Sequence, residues 1–191
     1  MNVSAGGKYH LLDRVKDDNN NEIGTVSGFF TDANDVEYAV VCLDAQYRLD
    51  NGKYADSNIN ITGIPKYYTQ ALWEAKETAT ENTTAILASD TSTGCTHCRS
   101  KTFTVDGISY AGQLPNLLEL IDIFKNRTSL NAADTSASSY SSLTIPEQAE
   151  AWSSTQNGNT NGWSIYSGGS ASYESKNSGA FVVPVLEIPN S

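Results

Sequence analysis

Charge, cysteine and long apolar runs are what this sequence has least of. Only 18% of its 191 residues are charged, against about 25% in ordinary soluble domains. The 12 Lys and Arg are scattered and the formal net charge is −10. No cationic stripe exists to neutralise phosphates, so direct nucleic-acid binding and attachment to anionic membrane surfaces are both disfavoured. The longest strongly hydrophobic patch, residues 38–43, is six residues, far short of the roughly 18 that a spanning helix requires. The first residues, MNVSAGGKYHLLDRVKDDNNN, lack the apolar stretch of about 7–15 residues that a secretory signal needs. The expectation is therefore action in the cytosol, or exit by another route such as a virus particle released by lysis. The sequons at Asn2, Asn60, Asn82 and Asn126 read as chance matches in an Asn- and Thr-rich chain.

What the chain does have is Ser, Thr, Asn, Gly and Tyr, a composition that favours turns and strands over long helices. Residues 8–15 and 23–30 flank the turn cluster KDDNNNE, a hairpin signal. VEYAVVCLDAQYRL, residues 36–49, is rich in β-branched and aromatic side chains and predicts a buried central strand. The spacing of Tyr68, Leu72, Ala75 and Ala79 predicts a helix over 66–79. Residues 88–102 read as loop. Leu117, Leu118, Leu120, Ile121 and Phe124 give a wide apolar face and predict a second helix over 115–125, with Pro115 at its start. A terminal strand is expected over 181–188. Helices in one block and strands elsewhere argue for an α+β fold.

Five pieces in order carry a family resemblance: YAVVCLD, ALWEA, LPNLLELIDIF, AWSST, and NGWSIYSGG leading to FVVPVLEI. Over about residues 36–188 the chain resembles the bacterial and phage branch of the C-type-lectin-like fold, the group with the Lcl C-terminal domains, sulfatase-modifying domains and phage tropism determinants. WSST is identical to the family pattern, and the second Trp, Trp163, follows Trp152 at the expected distance. Gln113 and Val183 stand where the family usually has Arg, which marks a divergent member. The resemblance implies two helices on small antiparallel sheets with long loops over 36–191, and residues 1–35 as an N-terminal β arm for docking or oligomerisation. It further implies a surface component of a phage particle, head or tail, serving adhesion or host attachment. The partners would be a host cell-surface glycan or protein and other virion proteins reached through the arm. A homotrimer is expected by analogy with phage appendages. The alternative is a bacterial surface adhesin, and a third reading is a relative of the sulfatase-modifying enzymes.

Between Glu150 and Glu174 the sequence has no charged residue. Trp152, Pro115, Leu118, Ile121 and Phe124 are expected in the core, and Glu119 as a cap or network partner. Asn157, Asn159, Asn161, Trp163, Tyr166 and Tyr173 form the candidate ligand-binding set, because rigid aromatic rings and adaptable amides are what paratope loops use; a turn-rich domain edge with Trp163 inside is the competing reading.

Other chemistry is weakly supported. Cys95 and Cys98 in CTHC read first as a local disulfide or free thiols, second as half of a metal site, and last as a redox pair. Cys42 sits in the predicted strand, and zinc would also need His10 or His97. No cysteine lies beyond Cys98, which argues against sulfatase-modifying chemistry, and neither histidine has a nucleophile context. IPEQ and IPNS do not reproduce the calcium-binding motifs of animal lectins, and the acidic turns DDNNNE and TDAND read as solvated. The expectation is a non-enzyme with no cofactor.

Overall fold

The structure, a computed structural model, describes residues 7–68, 75–147, 150–166 and 169–191. Glu22–Thr31 (β2) and Glu37–Leu43 (β3) are rich in Val, Ile, Phe and Tyr, are buried along most of their length, and pair antiparallel across the turn at Asp32–Asp35. The short strand Arg14–Lys16 (β1) flanks β2, and Val185–Pro189 (β11) flanks β3, giving the order β1-β2-β3-β11. Of the hairpin expected from residues 8–15 and 23–30, the second half is β2, whereas in the first half only residues 14 and 15 are strand and 8–13 are not; β2 is also an interior strand of this sheet, paired to β3 on its other side. β3 stops at Leu43, short of the expected end at residue 49. A 3-10 turn, Ala45–Tyr47, follows, because the buried Asp134 accepts the Ala45 N–H at 2.7 Å and pairs with buried Arg48 at 3.2 Å.

Side chains alternate across β3, so its two faces serve two different cores. Val40 and Cys42 pack with helix Leu117–Ala133 (α3). Ala39, Val41 and Leu43 face a small hairpin, Thr102–Val105 (β5) and Ile108–Ala111 (β6). The Asp106-Gly107 pair turns that hairpin with both residues at positive φ (53° and 76°), the conformation Asp-Gly adopts in tight hairpins.

The expected helix over 115–125 begins at Leu117 and continues to Ala133. Asn116 caps it: its side chain accepts the Glu119 N–H at 3.0 Å, and Glu119 accepts the Asn116 N–H at 2.8 Å. Leu117, Leu120, Ile123 and Phe124 form the buried stripe. Leu118 and Ile121, expected in the core, lie on its flank and are only partly buried; Pro115 is buried just ahead of the cap.

The helix expected over 66–79 is not present at either described end. Residues 66–68 and 75–78 are non-helical, and 69–74, with Leu72, lie outside the described residues. The helix here is Ala79–Ser89 (α1), because Thr78 and Glu81 form a capping box that starts it at the residue where the expected helix was to end. The expected loop over 88–102 contains a further helix, Thr93–Arg99 (α2), capped by Ser92. Three α-helices rather than two are therefore present among the described residues, in an α+β arrangement.

The second sheet has the order β4-β10-β7-β8-β9, formed by Leu49–Lys53 (β4), Ala151–Gln156 (β7), Asn161–Tyr166 (β8), Ser170–Ser175 (β9) and Gly179–Val182 (β10). Its β10–β7 pairing is parallel. The expected terminal strand over 181–188 is two strands in two sheets. Pro184, which has no N–H to donate, sits at the crossing between β10 and β11.

Candidate recognition surface

β7 shows why AWSST belongs inside. Every residue from Ala151 to Gln156 is buried, and a buried polar group needs a partner. Ser153 Oγ donates to the Trp163 carbonyl at 2.8 Å, the Ser154 N–H donates to the Pro115 carbonyl at 2.7 Å, and Thr155 Oγ1 accepts the Leu117 N–H at 2.9 Å. The hydroxyls thereby tie β7 to β8 and to the start of α3. Trp152 is fully buried, edge-on to Tyr54 at 5.7 Å between ring centroids, and its indole N–H donates to the Ser178 carbonyl at 3.2 Å. A Cβ on Gly162 would lie 2.8 Å from the Tyr54 ring and 3.3 Å from Trp152, so only glycine lets β8 approach this aromatic pair.

Gln156, at the end of β7, is the hub of the adjoining loops. Its buried amide oxygen accepts the Ile61 N–H at 2.9 Å, and its amide nitrogen donates to the carbonyls of Ile61 (3.3 Å) and Ile64 (3.1 Å). Its backbone carbonyl accepts the Tyr67 N–H at 2.9 Å. Beside it lies Lys176, with no exposed surface at all. The Lys176 ammonium reaches Gln156 Oε1 and the main-chain carbonyls of Ile59 (2.8 Å), Asn159 (2.9 Å) and Gly158 (3.2 Å). Burial, with a small contribution from Lys66, pushes its pKa down to about 8, while the surrounding oxygens favour the charged form.

These contacts gather three segments at one end of the second sheet: 57–62, 157–161 and 175–178. Their sequences, SNINIT, NGNTN and SKNS, hold Asn58, Asn60 and Asn177 besides the three asparagines foreseen in 157–161, and one charged residue, Lys176. Asn58 accepts the Ser175 hydroxyl at 3.0 Å and the Asn177 N–H at 3.3 Å, which fastens the first segment to the third. Asn58, Asn60, Asn159 and Asn177 are exposed.

The six candidate residues do not form one face. Asn157, Asn159 and Asn161 lie together in the β7–β8 turn, where the Asn157 N–H donates to the Asn161 carbonyl at 3.1 Å. Trp163 is buried, its indole N–H bonded to the Tyr67 carbonyl at 2.6 Å. Tyr173 pairs opposite Trp163 on β9 and stacks edge-on against it at 5.7 Å, leaving half its own surface exposed. Tyr166 is exposed at the far end of β8. The β8–β9 ladder is unbroken, so side chains alternate strictly and Tyr166 points to the opposite face from Trp163 and Tyr173. Sequence reasoning therefore merged residues that the sheet separates. It missed Asn58, Asn60, Asn177 and Lys176, whose only signal is a lone lysine just past a charge-free tract.

The other motifs resolve into structure. Cys95 and Cys98 are free, buried thiols on α2, not in a loop, and Cys42 is a third free, buried thiol on β3. Burial pushes the Cys95 thiol up to about 12 and Cys42 to about 11, away from the thiolate form that nucleophiles and metal ligands use. His97 Nε2 donates to the Tyr47 carbonyl at 2.7 Å, and His10 is an exposed turn residue beside Asp13. Among the described residues no group of three or more His, Cys, Asp or Glu is placed to hold a metal ion. No family model matches the chain, and no curated protein matches it.

Proposed function

We propose that the chain is a non-enzymatic recognition domain of C-type-lectin-like fold, displayed on a phage particle for adhesion to a host cell-surface glycan or protein. The observation that carries this reading is the apex of segments 57–62, 157–161 and 175–178: exposed amides and hydroxyls on loops whose backbones are locked by Gln156 and Lys176. Preordered loops lose little entropy on binding, and uncharged amides suit the hydroxyl-rich surface of a neutral glycan better than an ionic ligand. The α+β architecture and the buried WSST strand are compatible with the lectin-like fold.

Two measurements test this. Electron microscopy of purified particles with a labelled antibody should place the chain on the particle surface, and its native mass should be that of a trimer. Binding of the purified chain to host cells and to a glycan array should fall about tenfold or more in an Asn60→Ala, Asn159→Ala double variant with unchanged melting temperature. A chain found only free in the cytosol, or binding indifferent to both asparagines, overturns the reading; a chain found on the bacterial envelope instead identifies it as an adhesin.

A further inference from the structure

Lysine is among the residues least often buried without a partner carboxylate. Among the described residues the ion pairs do not include Lys176, although it has no exposed surface. What surrounds its ammonium is a shell of four neutral oxygens, three main-chain carbonyls and one amide, at up to 3.2 Å. The Tyr54 ring lies on another side, its centroid 5.6 Å from Nζ, within the range of cation–π attraction. An ammonium has three N–H donors, one fewer than the oxygens here, so it cannot align with all of them. A ring of carbonyl oxygens is the environment that replaces the hydration shell of a monovalent cation. Lys66 faces the site and repels the ammonium, and among the described residues no carboxylate pairs with it.

The oxygens come from separate places in the chain. Ile59 lies 117 residues from Lys176, and Gly158 and Asn159 form the β7–β8 turn. The Lys176 backbone joins the same pieces: its N–H donates to the Thr160 carbonyl at 3.0 Å and its carbonyl accepts the Ala55 N–H at 3.0 Å. Carbonyls pointed at one centre repel each other unless a positive charge sits between them.

We propose that Lys176 is a built-in cation: its ammonium fills a four-oxygen site suited to a small monovalent cation and thereby positions the 57–62 and 157–161 loops without any dissolved ion. Removing the side chain leaves a site that takes ammonium, methylammonium or potassium. This role stands whether or not the apex binds a glycan.

The test uses the full chain with Lys176→Ala and with Lys176→Met, which keeps length but not charge. In both, hydrogen exchange at the amides of Gly158 and Ile61 is expected to quicken about tenfold or more. Methylammonium or potassium chloride should restore protection in Lys176→Ala along a saturating curve, with no effect on the wild type. Tetramethylammonium, which is bulky and has no N–H, should not restore it at equal ionic strength. Protection in Lys176→Met equal to wild type, or equal rescue by tetramethylammonium, or no rescue by any cation, overturns the proposal. Should both variants fail to fold, the wild type decides it: at pH 6 a slowly exchanging Lys176 ammonium resonance is expected, and a solvent-exchanging one overturns the assignment.

Discussion

At the residue scale, small side chains decide where large ones go. Trp152 and Tyr54 meet edge-on under β8 because Gly162 has no Cβ to hold them off. Gly162→Ala should therefore force the Tyr54 ring to move, lowering stability by about 1–3 kcal/mol, as overpacking does, and a urea melt measures it; an unchanged midpoint would show that the ring moves freely. The composition of the 150–174 tract made its aromatic and hydroxyl residues visible, but composition cannot tell a ring that points in from one that points out. Trp163 and Tyr166 differ by three positions on one strand, and that odd spacing alone puts them on opposite faces.

At the element scale, caps mark the helices more reliably than apolar spacing. Both α1 and α3 begin at a capping box, Thr78 with Glu81 and Asn116 with Glu119. Each is legible as a polar cap followed three residues later by Glu, whereas the spacing of Tyr68 to Ala79 pointed to a helix that ends where α1 begins. Thr78→Ala should cost about 1 kcal/mol, an ordinary cap loss. Asn116→Ala should cost more, up to about 2 kcal/mol at the upper end of that range, because Asn116 also donates to the Glu77 carbonyl at 3.3 Å. Thermal melts of the two variants rank them; equal losses would mean the Glu77 contact contributes nothing. The Asp-Gly turn of β5–β6 carried a hairpin signal of the same local kind.

At the scale of the whole molecule, two carboxyl groups join three elements. Glu187 on β11 accepts the first N–H groups of α1, from Ala79 at 2.7 Å and Thr80 at 2.9 Å, and the Thr80 hydroxyl at 2.6 Å. Glu119 at the start of α3 is buried against it, and burial, the Glu187 charge and their shared hydrogen bond, with Asp122 adding repulsion, raise the Glu119 pKa well above the usual carboxylate range. Tyr38 also faces Glu187. The raised value favours the protonated form of Glu119, whose buried Oε1 has no other hydrogen-bond partner among the described residues. A raised folded-state pKa means that the folded chain holds a proton the unfolded chain releases above about pH 4.3, so stability from this group is complete in acid and declines as pH rises toward the folded value. The exposed carboxyls of Asp17 and Asp106 are lowered by hydrogen bonds and act in the opposite direction, so the variant comparison is what isolates Glu119. Glu119→Gln keeps a donor toward Glu187; urea melts from pH 4.5 to 8 should show a flatter pH dependence than wild type and no loss of stability at pH 7. An identical slope would show that Glu119 is ionised when buried.

The sequence by itself determined the α+β class, the strand character of 23–30 and of 36–43, and Glu119 as a cap partner, because periodicity, turn residues and capping boxes act within a few residues of one another. Only the tertiary structure decided the apex. It set 57–62 and 175–178 beside 157–161 and aimed four oxygens at Lys176. Where a carbonyl points is a property of the folded backbone, and every residue's carbonyl looks alike in sequence.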